Sequence, residues 1–97
     1  MSLEDQFKCL VGAYYGITLL DEYNLKEYLL NDIKNYIKDF VETNEMDKGK
    51  CKISSEKYEK ELSNITKLQD SLILLNKMNA NIDVILLVKK KIKDLKK

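Results

Sequence analysis

An all-α fold, a compact bundle of about four helices, is what this sequence predicts, on three observations. Apolar residues recur at three- and four-residue steps in four separate segments. Proline is absent and glycine occurs only three times, so little interrupts a helix. No alternating apolar and polar run is long enough to argue for a convincing strand. A chain of 97 residues suffices for one domain with a single core, so residues 1–97 are expected to form one helical domain.

The first helix is predicted over 3–20. Leu3, Phe7, Leu10 or Val11, Tyr14 and Ile17 share one face, and Ser2 with Asp5 imitates a capping box. Gly12 and Gly16 also share a face, a spacing that predicts a close helix contact inside the core. After a short connection at Asp21–Tyr23, Asn24 and Glu27 form a capping box for a second helix over 24–43. Its buried stripe is Leu25, Leu29, Ile33, Ile37 and Val41, with Tyr28, Tyr36 and Phe40 alongside. Residues Glu45 to Ile53 lack an apolar period and read as a loop, and Ser54 or Ser55 restarts the chain. A long third helix is predicted over 55–78, marked by Tyr58, Leu62, Ile65, Leu68, Leu72 and Leu75. Asn79 then stops that helix in the left-handed conformation that asparagine tolerates, and Asn81 caps a last helix over 82–95. The expected core is Leu29, Ile33, Ile37, Leu68, Leu72, Leu75, Val88 and Ile92.

Composition narrows the function. The net charge of +1 gives no overall attraction to nucleic acid or to an anionic membrane. The longest apolar candidate, Phe7 to Leu20, contains Lys8 and falls short of the roughly 18 residues a membrane span needs. No positively charged leader follows Met1, so a cytoplasmic location is expected. Cys9 and Cys51 lie far apart in sequence and are expected to be free structural thiols.

Histidine is absent, which removes the usual general base near neutral pH and the commonest metal ligand. No glycine-rich phosphate loop is present either. Asp21 and Glu22 are adjacent on a turn and diverge, and Asp32 and Asp39 are expected to pair with neighbouring lysines at the surface. No catalytic residue, cofactor or metal is therefore expected. Two features remain. Lys89, Lys93 and Lys96 or Lys97 fall on one strip of the last helix, unaccompanied by arginine or aromatic residues. They read as a solvated helix end complementing the helix dipole, with direct nucleic-acid binding as the alternative. Six tyrosines sit mostly at stripe edges, where such residues finish a core or anchor an interface. Ile73, Leu74, Leu86 and Leu87 exceed what one stripe needs and are the candidate interface.

Residues Ser54 to Leu95 carry a resemblance. The stretch Leu72-Ile73-Leu74-Leu75-Asn76-Lys77-Met78-Asn79-Ala80-Asn81, followed by the apolar helix Ile82-Asp83-Val84-Ile85-Leu86-Leu87, resembles the closing part of bacterial clamp-loader subunits. In that family a long helix meets an asparagine-bearing break and a leucine-rich final helix, and the delta-prime type of DNA polymerase III is the most similar. Ile37-Lys38-Asp39-Phe40 is a further echo, with Lys38 where the family has arginine. The resemblance implies a non-catalytic oligomerisation (collar) domain that packs on the other clamp-loader subunits during sliding-clamp loading in DNA replication. It also implies that the chain is the C-terminal part of a longer protein, and that Asn79 and Asn81 shape the turn. The competing expectation is a free-standing helical adaptor or regulator of phage or plasmid type, acting by homo- or heterodimerisation.

Overall fold

The computed structural model describes residues 1–21 and 23–97, with only the backbone of Tyr23. Five helices form among the described residues, and no strand. They are α1 (Leu3–Ile17), α2 (Tyr23–Thr43), α3 (Lys48–Glu61), α4 (Asn64–Lys77) and α5 (Ile82–Leu95). The all-α class is as predicted; the count of helices is not.

The helix ends follow local chemistry. Ser2 caps α1, its hydroxyl accepting from the Asp5 amide at 3.1 Å. The helix stops at Ile17 rather than 20, where the Thr18 hydroxyl donates back to the Tyr15 carbonyl at 2.5 Å. Leu19 and Leu20 turn there, with Leu20 buried. Helix α2 begins at Tyr23, so Asn24 lies inside its first turn and is not the cap that its spacing to Glu27 predicts. The other end of α2 closes on Glu45, which takes a positive φ of 51°. The Met46 amide then donates to the Val41 carbonyl at 3.0 Å and that of Glu45 to Glu42 at 3.1 Å. These two bonds make a Schellman closure, completed by Met46 packing into the cluster that holds Val41.

The main correction concerns 45–78. Asp47 caps a helix whose first half sequence periodicity misses: its carboxylate accepts from the Lys50 amide at 3.0 Å, and α3 starts at Lys48. The predicted loop therefore shrinks, and Ser54 and Ser55 lie inside α3 rather than restarting the chain. Only Tyr58 of α3 is buried, so the helix has no apolar stripe to reveal it. The predicted 55–78 helix is in turn two helices. Leu62 is extended, and Ser63 caps α4 by accepting from the Thr66 amide at 3.1 Å. Within α4, Lys67, Leu68, Ser71, Leu74 and Leu75 face inward and Leu72 is only half-buried.

Helix α1 runs through the centre and packs on α2, α3 and most extensively on α4, while α5 packs on α4. The larger core joins α1, α2, α4 and α5 around Ala13, Ile17, Ile33, Leu68, Leu75 and Val88. Of the expected core, Leu29, Ile33, Leu68, Leu75 and Val88 are buried, whereas Ile37, Leu72 and Ile92 are half-buried at its edge. A smaller cluster of Phe7, Val11, Val41 and Tyr58 holds α3. Tyr58 also donates to the Glu4 carboxylate, and the Lys8 ammonium lies 5.2 Å from its ring centre. The radius of gyration, 13.0 Å, is close to the roughly 12.5 Å of a compact domain this long.

The glycine face of α1 meets α4 as its spacing predicts. A Cβ at Gly16 would lie 2.3 Å from the Lys67 carbonyl oxygen, and one at Gly12 would lie 2.1 Å from the Asp70 carboxylate. Ser71, fully buried opposite these glycines, shares its hydroxyl proton between the carbonyls of Ala13 at 2.8 Å and Lys67 at 2.9 Å. A polar side chain at the centre of the interface is thereby satisfied and ties α4 to α1.

Candidate interaction surface

The turn between α4 and α5 sets the geometry of the exposed surface. Asn79 takes a positive φ of 53°, the left-handed conformation. Its amide donates to the Asn76 carbonyl at 3.3 Å, and the Ala80 amide donates to Leu75 at 3.0 Å. This is a second Schellman closure, with Ala80 packed on the larger core that holds Leu75. Asn81 then caps α5, its side-chain oxygen accepting from the Asp83 amide at 2.9 Å. The two asparagines thus occupy the stop and cap positions that the sequence predicts.

Beside this elbow lies a cleft of about 390 Å³ between the first half of α2 and the start of α5. Leu25, Tyr28, Leu29 and Asp32 line one wall, and Met78 to Asn81 with Val84 line the other. A smaller apolar hollow, about 170 Å³, holds Tyr36, Phe40, Ile73, Lys77, Cys9 and Met1 among its lining. Asp32 and Tyr36 are one turn apart on α2, so both hollows lie along that helix. Tyr28 is 69% exposed and Ile73 49% exposed along this groove.

The four candidate interface residues do not form one patch. Leu74 is 1% exposed and belongs to the core, so it is not available to a partner in this fold. Ile73 stands on the rim of the groove. Leu87 is half-buried and lines a separate hollow of about 160 Å³ with Leu20, Asp21, Lys90, Lys91 and Asp94. Leu86 is 53% exposed on the outer side of α5. Periodicity places Leu25 on the buried stripe of α2, yet it is exposed at the mouth of the cleft. The signal that could have found this groove is the set of edge tyrosines, since Tyr28 and Tyr36 both line it. Tyr14 and Tyr15 instead pack edge to face at 5.2 Å, and the side chain of Tyr23 lies outside the described residues.

The Cys9 thiol donates to the Asp70 carboxylate at 3.5 Å. Burial, and then the charge of Asp70, push that thiol up to about 11, so it stays protonated and unreactive near neutral pH. Burial likewise raises the carboxyl of Asp70, opposed by its bond from Cys9 and by Lys8. Cys51 is a free thiol, also pushed up by burial. Among the described residues no group of three His, Cys, Asp or Glu side chains converges to hold a metal ion. Asp21 is exposed and pairs with Lys91 at 3.7 Å; its neighbour Glu22 lies outside the described residues. The pairing expected of Asp32 and Asp39 with nearby lysines does not form among the described residues. None of the described helices is long and apolar enough to cross a membrane. No protein-family model matches the chain, and no curated protein or solved structure does either.

Proposed function

We propose that this chain is a non-catalytic association domain that docks on protein partners through the groove between α2 and the α4–α5 elbow. The observation that carries this reading is the set Leu25, Tyr28, Tyr36 and Ile73, large apolar side chains left exposed around two hollows that both lie along α2. Exposed apolar groups gathered at one place mark interaction sites, and tyrosine is enriched among the residues that dominate interface energetics. A thiol held protonated, with no histidine in the chain, fits binding better than catalysis.

The specific assembly we propose is a cytoplasmic clamp-loader collar of the DNA polymerase III type, with the other subunits as partners. Support comes from the Leu72–Leu87 segment, whose asparagine-bearing elbow and apolar final helix resemble that family. The test is size-exclusion chromatography with light scattering of the chain alone and mixed with clamp-loader subunits, at about 50 and 200 mM salt. Association that survives the higher salt and fails in Tyr28→Ser and Ile73→Ser variants is the expected result, because apolar burial is not screened. Self-association without subunit binding would reject the collar in favour of the free-standing adaptor. A monomer that binds neither itself nor the subunits would likewise reject the collar and leave the free-standing adaptor, acting on a different partner, as the better account.

A further inference from the structure

The exposed side of α5 carries a second surface, separate from the groove. Val84, Ile85 and Val88 turn inward. Ile82, Leu86, Lys89 and Lys93 follow one another at steps of four, three and four residues, so they form a single outer strip. Ile82 is 62% exposed and Leu86 53%. Both lysines are exposed too, and no carboxylate among the described residues lies within ion-pair distance of either. By contrast Lys91 turns toward Asp21, and Lys97 reaches Asp94 at 3.9 Å. The strip is therefore apolar in its first turn and positive in its last two, over about 17 Å of helix.

We infer that this strip docks an acidic amphipathic helix of a partner protein, lying antiparallel to α5. Charge complementarity selects the partner: the uncompensated ammonium groups of Lys89 and Lys93 call for carboxylates, while Ile82 and Leu86 call for aliphatic side chains. The antiparallel orientation places the partner's carboxylates in its own first turns, where its helix dipole favours them. The required pattern is two acidic residues four apart, then two aliphatic residues at the seventh and eleventh positions after the first acid. Single-stranded nucleic acid suits the strip less well, because stacking platforms are aromatic and the strip has none. An anionic membrane suits it poorly as well, since the inward apolar face of α5 is committed to the core and only Ile82 and Leu86 remain to insert. This inference goes beyond the groove and does not depend on which assembly the groove serves.

The test uses the whole chain and a fluorescein-labelled synthetic helical peptide of about 16 residues, long enough to span the strip. Glutamate occupies the two acidic positions and leucine the two aliphatic ones. Anisotropy titration should give saturable binding that weakens about tenfold in a Lys89→Glu, Lys93→Glu double variant and in Leu86→Ser. Circular dichroism checks that these variants remain folded. A second peptide with lysine in place of glutamate should bind the double variant and not the original chain, a reversal that misfolding cannot produce. Tyr28→Ser, which alters the groove, should leave peptide binding unchanged. Binding that ignores the charge reversal would overturn the inference. So would a failed charge swap, or strip-dependent binding to duplex DNA or to phosphatidylglycerol vesicles without binding to the peptide.

Discussion

Replacing Gly16 by alanine sets two effects of known sign against each other. In an unconstrained helix interior the change is favourable by about 1 kcal/mol, because alanine loses less backbone entropy. Here the added Cβ would sit 2.0 Å from the Ser71 hydroxyl oxygen, 2.3 Å from the Lys67 carbonyl oxygen and 2.7 Å from its carbon. The hydroxyl could rotate, but the Lys67 carbonyl is part of the α4 backbone and cannot. Ordinary contact needs more than about 3 Å, so α4 must retreat from α1 by most of an ångström. Overpacking of this kind costs about 1–3 kcal/mol. Separation also loosens the bond from Ser71 to the Ala13 carbonyl, about another 1 kcal/mol. The net expected loss is about 2 kcal/mol. In urea melts the midpoint should fall by about 1–2 M with little change in slope, and the thermal midpoint by about 8–16 °C. Gly12→Ala should cost less, because its Cβ meets the Asp70 side chain, which can turn aside. Gly49→Ala is the control: it is exposed, its nearest neighbour is the Asp47 carboxylate at 3.3 Å, and the change should be neutral or stabilising. A Gly16→Ala protein as stable as the original would refute the close α1–α4 contact.

Four further outcomes are expected. Leu74→Ala should cost about 2–5 kcal/mol in denaturant melts, and Leu72→Ala, at a half-buried position, clearly less. Glu45→Gly should stabilise by about 0.5–1 kcal/mol, since glycine takes the positive φ without strain, whereas Asn79→Val should destabilise by about 1–2 kcal/mol. Burial raises the Asp70 carboxyl, so its ionised form costs stability at neutral pH, and that cost disappears as pH falls and the group protonates. Asp70→Asn should therefore be at least as stable as the original at pH 7, with the difference shrinking in acid; melts of both proteins across the acid range check this. Cys9 should react with iodoacetamide far more slowly than a free model thiol at pH 7.5, because its thiolate is scarce; mass spectrometry reads the rate.

Part of what depends on a few neighbouring residues was legible in the sequence. The α4–α5 elbow is the clearest case: asparagine accepts the left-handed conformation at Asn79, and Asn81 needs only the amide of Asp83 to cap α5. The glycine spacing at Gly12 and Gly16 correctly signalled a close helix contact, since no other side chain leaves room for one. The first half of α3 escaped notice because apolar periodicity reports burial, and that helix buries only Tyr58. Across the α3–α4 break the apolar spacing from Tyr58 to Leu68 happens to continue unbroken, so nothing in that pattern reveals that Ser63 starts a new helix. Within α4, packing on α1 put Leu74 in the core and left Leu72 at its edge. The groove is tertiary in the same sense. Leu25, Tyr28 and Tyr36 lie on α2 and Ile73 on the distant α4, and what leaves them uncovered is where α1 holds α2 and α4, a matter of packing that neither helix encodes.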